Sequence, residues 1–420
     1  MPLALLLLIL LSTTMLRSQP ATPPPAASFD AVAATNAYLA TVPADKKARS
    51  DAYFEGGYWL MLWDFLYGAA VALLLLSTRL SSRMRALAER IARFQPLQTF
   101  AYWVQYLLLT TALTFPLTVY EGYFREHQYG LATQTFAPWL GDQLKSLALG
   151  LLLGGLAVTA LFGIVRRLPR TWHIWGAVAG LALTALFTMI FPVFIAPVFN
   201  QYTKLTDPTV RDPILSLARA NGIPATEVYE VDASRQSTRI SANVSGFLGT
   251  ERITLNDNLL KRSTLPEIMS VMGHEMGHYV LNHVYKGLLF TLIVLVVFFA
   301  GLRRALDWSL ARWGARWEIR GVTDPAVLPL AMLIISIFSF LYTPIGNTVT
   351  RTMEYEADMY GLNAVRQPDA FATIALKLGE YRKLSPGPIE EMLLFDHPSG
   401  RTRIFSAMRW KAENLNTTTR

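Results

Sequence analysis

The run Val271-Met272-Gly273-His274-Glu275-Met276-Gly277-His278 sets two imidazoles four residues apart with a carboxylate beside the first, in a chain with only 6 histidines. On a helix, residues four apart lie on one face, one turn above each other. His274 and His278 can then converge on one metal ion, and Glu275 can reach a water on it. Zinc proteases use this arrangement to hydrolyse peptide bonds, with the carboxylate as general base. The alternative is a helix carrying two satisfied surface histidines. Just upstream, Thr264-Leu265-Pro266-Glu267 has the form of a capping box, with proline in the first turn where no N–H is needed. The pattern predicts a helix over about 264–283.

Two histidines leave a zinc ion short of a protein ligand. With 0 cysteines in the chain, the missing donor is histidine, carboxylate or water. His283 falls on the opposite face of a continuous helix from His274, so it reads as a packing or hydrogen-bonding partner of the ligands. Leu281 and Val284 stand where a metzincin needs glycine and histidine, which excludes that class. Farther on, in Arg351-Thr352-Met353-Glu354-Tyr355-Glu356-Ala357-Asp358, Glu354 and Asp358 share a helix face and Glu356 points away. Glu354 is the candidate third ligand, and Asp358 the group that accepts a histidine ring N–H. By spacing alone, the pair could equally be a solvated face. Near the end, Phe395-Asp396-His397-Pro398-Ser399-Gly400-Arg401-Thr402-Arg403 offers His397 and Arg403 as stabilisers of a tetrahedral oxyanion. The other reading is a capping turn before a last helix.

The elements that must position these residues are largely apolar. Of 420 residues, 52% are hydrophobic and 16% charged, a balance that points to a polytopic membrane protein. Apolar runs long enough to span a bilayer lie near 57–77, 100–120, 145–165, 172–192, 286–303 and 326–346. Residues 1–27 read as a signal peptide or an N-terminal anchor, and 28–56 as a flexible or partly ordered lead-in. Transmembrane helices then fill 57–192. The protease lobe occupies 193–285 and 347–420, with two further spans over 286–346 between its parts. Thr417-Thr418-Thr419-Arg420 is no prenylation box.

The net charge of +8 does not point to nucleic acid, because the arginines sit beside the spans. Arg79, Arg83, Arg85, Arg90 and Arg93 follow the first span; Arg166, Arg167 and Arg170 fill the third loop; Arg303, Arg304, Arg312, Arg316 and Arg320 fill the fifth. The rule that basic loops stay inside makes that side cytoplasmic and puts the zinc lobe on the extracytoplasmic face.

Within the lobe, Val228–Val231, Arg239–Gly246 and Arg252–Leu255 read as strands, the last two joined by a turn that includes Gly249-Thr250. Thermolysin-like sites set a small sheet beside the HExxH helix and pair its edge with the substrate backbone. Ser241-Ala242-Asn243-Val244 is the candidate edge, and also fits an ordinary strand.

These residues together resemble the type I CAAX prenyl endopeptidases, integral-membrane zinc metalloproteases. The likeness runs through Tyr129-Gly130-Leu131, Asp142-Gln143-Leu144-Lys145, Phe194-Ile195-Ala196-Pro197, the HExxH run with His283, Glu354–Asp358, and His397-Pro398 with Arg403. It implies a mainly α membrane protein, a barrel of about six or seven transmembrane helices around a chamber, with a thermolysin-like lobe holding a small β-sheet. It also implies one zinc ion on His274, His278 and Glu354, and His397 and Arg403 near the reacting carbonyl. The implied activity is removal of three residues after a prenylated cysteine. Asp64, charged within an apolar span, fits a chamber-facing position or an interfacial one. Ser241-Ala242-Asn243 departs from the family's Asn-Ala-Tyr. The family's eukaryotic members also present the zinc site to the cytosol, opposite to the arginine count. The long lead-in suggests a bacterial inner-membrane protein whose substrates are membrane-embedded or exported polypeptides. Within the protease class the competing reading is general quality control of damaged membrane proteins. Outside it, the competitor is a catalytically silent scaffold or transporter.

Overall fold

The structure, a computed structural model, describes residues 29–245 and 252–415. The expected signal peptide or anchor, the turn around Gly249-Thr250 and the final Thr417–Arg420 lie outside the described residues. The first helix, α1 (Ala31–Ala40), is started by Asp30, whose carboxylate accepts the N–H groups of Val32 and Ala33. Next comes α2 (Ala44–Ser77), the short helix α3 (Leu80–Ile91), then α4 (Gln95–Gln128), α5 (Phe136–Arg167) and α6 (Trp172–Phe199). All but α1 and α3 are long and apolar enough to cross a bilayer.

The lobe begins with β1 (Tyr202–Lys204), α7 (Pro208–Ala220), β2 (Val228–Val231), β3 (Ala242–Ser245) and β4 (Arg252–Asn256). After α8 (Asp257–Arg262) comes the HExxH helix, α9 (Leu265–Val280). Two more spans, α10 (His283–Trp313) and α11 (Pro325–Val365), cross out and back. The chain closes on α12 (Pro368–Leu378), α13 (Pro388–Leu394) and α14 (Gly400–Asn414).

The six spans expected from apolar runs are all present, and each is longer than its run. The polar start of α2 explains one difference. Residues 44–56, expected in the lead-in, are helical because this end of α2 stands beside the lobe rather than in lipid. There Ser50 donates to the carbonyls of Gly379 at 2.9 Å and Arg382 at 2.6 Å, and Glu55 pairs with Lys383 at 2.7 Å. Helix α11 has 41 residues, roughly 60 Å at 1.5 Å per residue, about twice a hydrocarbon core of ~30 Å. Its surplus carries Glu354 and Asp358 out of the bilayer. Leu289, Ile293, Val296 and Val297 stay exposed on α10, the apolar stripe that lipid covers.

The three arginine-rich loops meet at the end of the bundle away from the lobe. Arg79 pairs with Glu318 at 2.8 Å, Arg320 with Glu89 at 2.6 Å, and Arg303 donates to the Arg170 carbonyl at 2.5 Å. Arg85 and Asp324 form a buried pair at 2.5 Å. Between α2 and α4 lies a cavity of about 530 Å³ whose lining includes Asp64, Glu121 and Arg125. Asp64 thus faces an inter-helical space.

The sheet order is β1-β2-β4-β3, with β2 and β4 parallel and the outer pairs antiparallel. Ile268, Met272 and Met276 recur every four residues on α9 and bury one of its faces against Ile253 and Leu255 of β4 and Ile214 of α7. Each such burial contributes about 1.5–3 kcal/mol. The capping box forms as expected: the Thr264 N–H donates to Glu267 at 2.7 Å, and Lys377 holds the same carboxylate at 2.7 Å. Lys377 and the capping hydrogen bonds outweigh burial and lower the Glu267 pKa.

On its second face, α9 meets α11 through Gly273 and Gly277 against Ala357 and Gly361. A methyl on Gly277 would lie 3.2 Å from the Ala357 Cα, and one on Gly361 only 2.8 Å from the His274 nitrogen. The backbones touch because neither helix has side chains there. Contrary to expectation α9 stops at Val280, since Asn282 adopts a left-handed conformation with φ 58° and α10 begins at once with His283.

Two outcomes follow. Gly361→Ala gains up to about 1 kcal/mol of helix propensity but overpacks a backbone contact at a cost of roughly 1–3 kcal/mol. Its unfolding midpoint in detergent should therefore fall, and its bound metal should fall with it. Arg85→Ala strands the Asp324 carboxylate and costs roughly 3–5 kcal/mol, whereas replacing both partners by apolar residues of similar volume restores most of the loss. Thermal unfolding of the three variants separates these cases.

Candidate active site

Helix α9 presents His274, Glu275 and His278, and α11 lays Glu354 and Asp358 across it. The His274 Nε2 lies 3.2 Å from the His278 Nε2 and 3.2 Å from Glu354 Oε2, and the His278 Nε2 lies 3.4 Å from Glu354 Oε1. Donors about 2.0–2.1 Å from a tetrahedral zinc ion stand roughly 3.3 Å apart. Two imidazoles converge on one carboxylate at close to this spacing, and one donor atom from each of the three residues lies within 4.8 Å of the others.

Each histidine is turned by a partner on its other nitrogen. His274 Nδ1 donates to Asp358 Oδ1 at 2.7 Å. Asp358 is 1% exposed and is gripped by Arg403 through Nε at 2.9 Å and Nη2 at 2.5 Å. His278 Nδ1 lies 2.8 Å from His283 Nδ1, and His283 Nε2 lies 3.0 Å from Glu356 Oε2. Since Glu356 accepts only, the proton order runs from His283 Nε2 to Glu356 and from His278 Nδ1 to His283. That order leaves the His278 Nε2 lone pair facing His274 and Glu354.

The second chain was not visible from helical periodicity. A continuous helix turns His283 away from His274, and Glu356 away from Glu354. The break at Asn282 brings His283 back beneath His278, where it meets Glu356. Asparagine, the non-glycine residue best suited to a left-handed cap, was the one available signal.

His397 closes the other side, with Nε2 3.3 Å from Glu354 Oε2 and Nδ1 donating to Asp396 at 2.9 Å. His397 and Arg403 line one cleft of about 240 Å³ together with His274, Glu275, Ser241 and Ala242. Its base is apolar, made by Val271, Leu259, Phe371, Ile374 and Leu378. Asn243 and Val244 do not line it; Asn243 is exposed and Val244 packs on the sheet core.

Strand β3 is the edge of the sheet on the side of β4, with β1 at the opposite edge. The Asn256 N–H donates to the Ser241 carbonyl at 2.9 Å. In an antiparallel ladder, inward and outward residues alternate. Asn243 therefore also pairs inward, with Thr254, while Ala242 and Val244 turn their main-chain groups outward. The edge offered to a peptide is backbone, so the unusual Ser241 and Asn243 side chains leave it intact.

The charges suit a cation. Burial pushes the Glu275 carboxyl up to about 7, against the opposing pull of His274. Burial also disfavours charge on both ligating imidazoles. On His274 the hydrogen bonds to Asp358 and Glu354 win and raise it to about 10; on His278 burial and the charge of His274 drive it down to about 4. The carboxylates of Asp358 and Glu354 that raise His274 set up the same field that favours a divalent ion at this pair.

Residues 204–411 match the profile of peptidase family M48, and residues 31–201 match that of the CAAX prenyl protease N-terminal region with five membrane helices. A metalloprotease of Bacillus subtilis (strain 168), YhfN, is 31% identical over 332 residues, covering 79% of this chain and 78% of the relative. CAAX prenyl protease 1 of Saccharomyces cerevisiae is 28% identical over 312 residues, covering 70% and 69%. The crystal structure of S. mikatae Ste24p superposes with a TM-score of 0.75 at 22% identity, covering 87% of this chain and 89% of that one. The spans and the metal-ligand geometry had pointed the same way, and the chain belongs to peptidase family M48, as an integral-membrane metalloendopeptidase built on the CAAX prenyl protease plan.

Proposed function

We propose that this peptidase works with one zinc ion on His274, His278 and Glu354. The observation that carries the reading is the convergence of two imidazole Nε2 atoms 3.2 Å apart on the Glu354 carboxylate, one 3.2 Å from its Oε2 and the other 3.4 Å from its Oε1. Zinc supplies Lewis acidity, which polarises a scissile carbonyl and makes water acidic near neutral pH. Glu275 takes the proton from the attacking water and returns it to the leaving amine. A carboxyl group raised to about 7 suits both halves of that transfer. His397 donates to the developing oxyanion, where one such donor contributes roughly 3 kcal/mol. Arg403 lines the same cleft, kept charged and oriented by Asp358. A peptide adds to the edge of β3 at Ala242 and Val244, in the manner of an extra strand.

The substrate is a polypeptide delivered from the bilayer, lipid-modified on a cysteine or itself membrane-embedded. This follows the relatives named CAAX prenyl protease 1 and an inter-helical cavity that shares Tyr381 and Arg382 with the cleft. The protein sits in a bacterial inner membrane with its arginine-rich loops in the cytoplasm and its zinc lobe on the extracytoplasmic face.

Two measurements test this. Glu275→Gln should keep about one zinc per chain by metal analysis and lose at least a thousandfold in kcat, whereas His274→Ala should lose the metal as well. Retained proteolysis in metal-loaded Glu275→Gln would sink the mechanism. A phosphatase reporter fused after Arg420 should be active, as expected outside the cytoplasm, and an inactive phosphatase with an active cytoplasmic reporter would reverse the orientation. Substrate choice is read on a prenylated peptide, where loss of three residues supports the CAAX-like reaction. Cuts confined to unfolded membrane proteins would assign quality control instead.

A further inference from the structure

A peptide added antiparallel to β3 runs opposite to the direction Ala242 to Ser245, so its C-terminal side leads past Ser241 and Ile240 towards Arg239. Two guanidinium groups stand at that end of the cleft, both beside one aromatic ring. The carbon of Arg239's lies 5.2 Å from the Tyr381 ring centre, and that of Arg382's lies 5.9 Å from it. Tyr381 and Arg382 line the catalytic cleft beside Ser241 and Ala242.

The two cations are not equivalent. Arg239 is committed, pairing with Glu126 at 2.7 Å and donating to the Tyr53 hydroxyl at 2.8 Å. Arg403, the other arginine of the cleft, is held by both oxygens of Asp358. Arg382 pairs with no carboxylate among the described residues. Asp396, which feels its charge, is turned instead to His397 Nδ1 at 2.9 Å. The neighbouring Lys383 is spent on Glu55 and Glu390 at 2.7 and 2.9 Å. The backbone under Arg382 is nevertheless fixed, because its carbonyl accepts Ser50 Oγ from α2 at 2.6 Å. A guanidinium on a rigid support, facing a substrate cleft and lacking an anion, is a carboxylate receptor.

We infer that Arg382 binds a substrate carboxylate on the C-terminal side of the cut, the free end of a polypeptide that stops a few residues beyond the scissile bond. This rests on the peptidase reading above and deepens it. The enzyme would measure its cut from the chain end, with the apolar base at Val271, Leu259, Phe371, Ile374 and Leu378 taking the first side chain after the bond. The product is then a short peptide with its own carboxylate on Arg382.

The test uses the full-length zinc-loaded enzyme and one farnesyl-cysteine peptide with three following residues, made as free acid, as C-terminal amide, and as amide with glutamate last. Wild type should cleave the acid with kcat/KM at least tenfold above the plain amide, chiefly through KM. Arg382→Gln should bring that ratio to about one, Arg382→Lys should restore part of it, and Arg382→Glu should invert it. Zinc content and unfolding midpoint of each variant establish that the lobe is intact. Rescue of the amide by terminal glutamate would support carboxylate recognition with a side chain as the source; no rescue assigns it to the chain end. Equal cleavage of acid and amide by wild type, or an undiminished ratio in Arg382→Gln, overturns the inference and leaves the peptidase reading standing. Cleavage of none of the peptides would overturn the inference together with the CAAX-like substrate choice, and would leave the metalloendopeptidase reading standing.

Discussion

The backbone-to-backbone approach of α9 and α11 sets the geometry of the histidine and carboxylate cluster. Gly273 and Gly277 meet Ala357 and Gly361 with so little between them that an added methyl would strike backbone. Glutamate and aspartate have short reach. Only backbones in contact allow Glu354 Oε2 to stand 3.2 Å from one imidazole while Asp358 accepts the far nitrogen of the same ring at 2.7 Å. The glycines inside the HExxH run are therefore part of the ligand geometry although they touch no metal. They leave α9 with two working faces, one closing on the sheet through Ile268, Met272 and Met276, the other on α11.

Burying so much charge needs a compensating scheme, and the site has two. One runs from His274 through Asp358 to Arg403 and the other from His278 through His283 to Glu356 and Lys286, the last two 2.8 Å apart. Each gives an imidazole a defined proton on one nitrogen and a free lone pair on the other. They differ in depth. Asp358 is 1% exposed and its arginine lies in the cleft, whereas Glu356 reaches the surface. The stiffer chain therefore holds His274, the histidine next to Glu275. The softer one serves the ligand one turn away.

How much of this was legible follows from the range of each signal. Spans and strands are local, so apolar runs found all six membrane helices and Val228–Val231 emerged with its boundaries intact. Glu354 and Asp358 were legible because a four-residue helical period is also local, even though two spans separate them from the histidines. The failures share one cause. Helical polarity at the start of α2 reads as a linker when the partner that satisfies it, the 379–383 turn, is hundreds of residues away. The contact between His283 and Glu356 was missed because one left-handed residue, Asn282, ends α9 and resets the phase at which α10 begins. Nor does any pattern in Arg382 mark it as unpaired; that depends on where every carboxylate of the folded lobe has gone.

The same wiring explains why the lobe and the spans form one machine. The strand that offers its edge to a peptide is fixed at its entrance from two directions. Asn256 and Asn258 hold the Arg239 carbonyl at 2.7 and 3.0 Å, while the Arg239 side chain reaches into the membrane domain to Glu126 and Tyr53. Tyr53 and Glu126 are themselves joined at 2.6 Å, binding the lobe-side ends of α2 and α4. Separating those two helices therefore pulls on Arg239, three residues before the edge strand. A cavity of about 390 Å³ shares Tyr381 and Arg382 with the cleft and Gly57, Met61 and Arg125 with the space between the spans, so the cleft adjoins the helices by shape as well. A soluble lobe cut free of its helices would keep the metal ligands and the general base. It would lose the clamp on β3, and with it the fixed register between a bound backbone and the ligands above it. In this protein the bilayer-spanning helices fix the position of β3 beside the His274, His278 and Glu354 cluster.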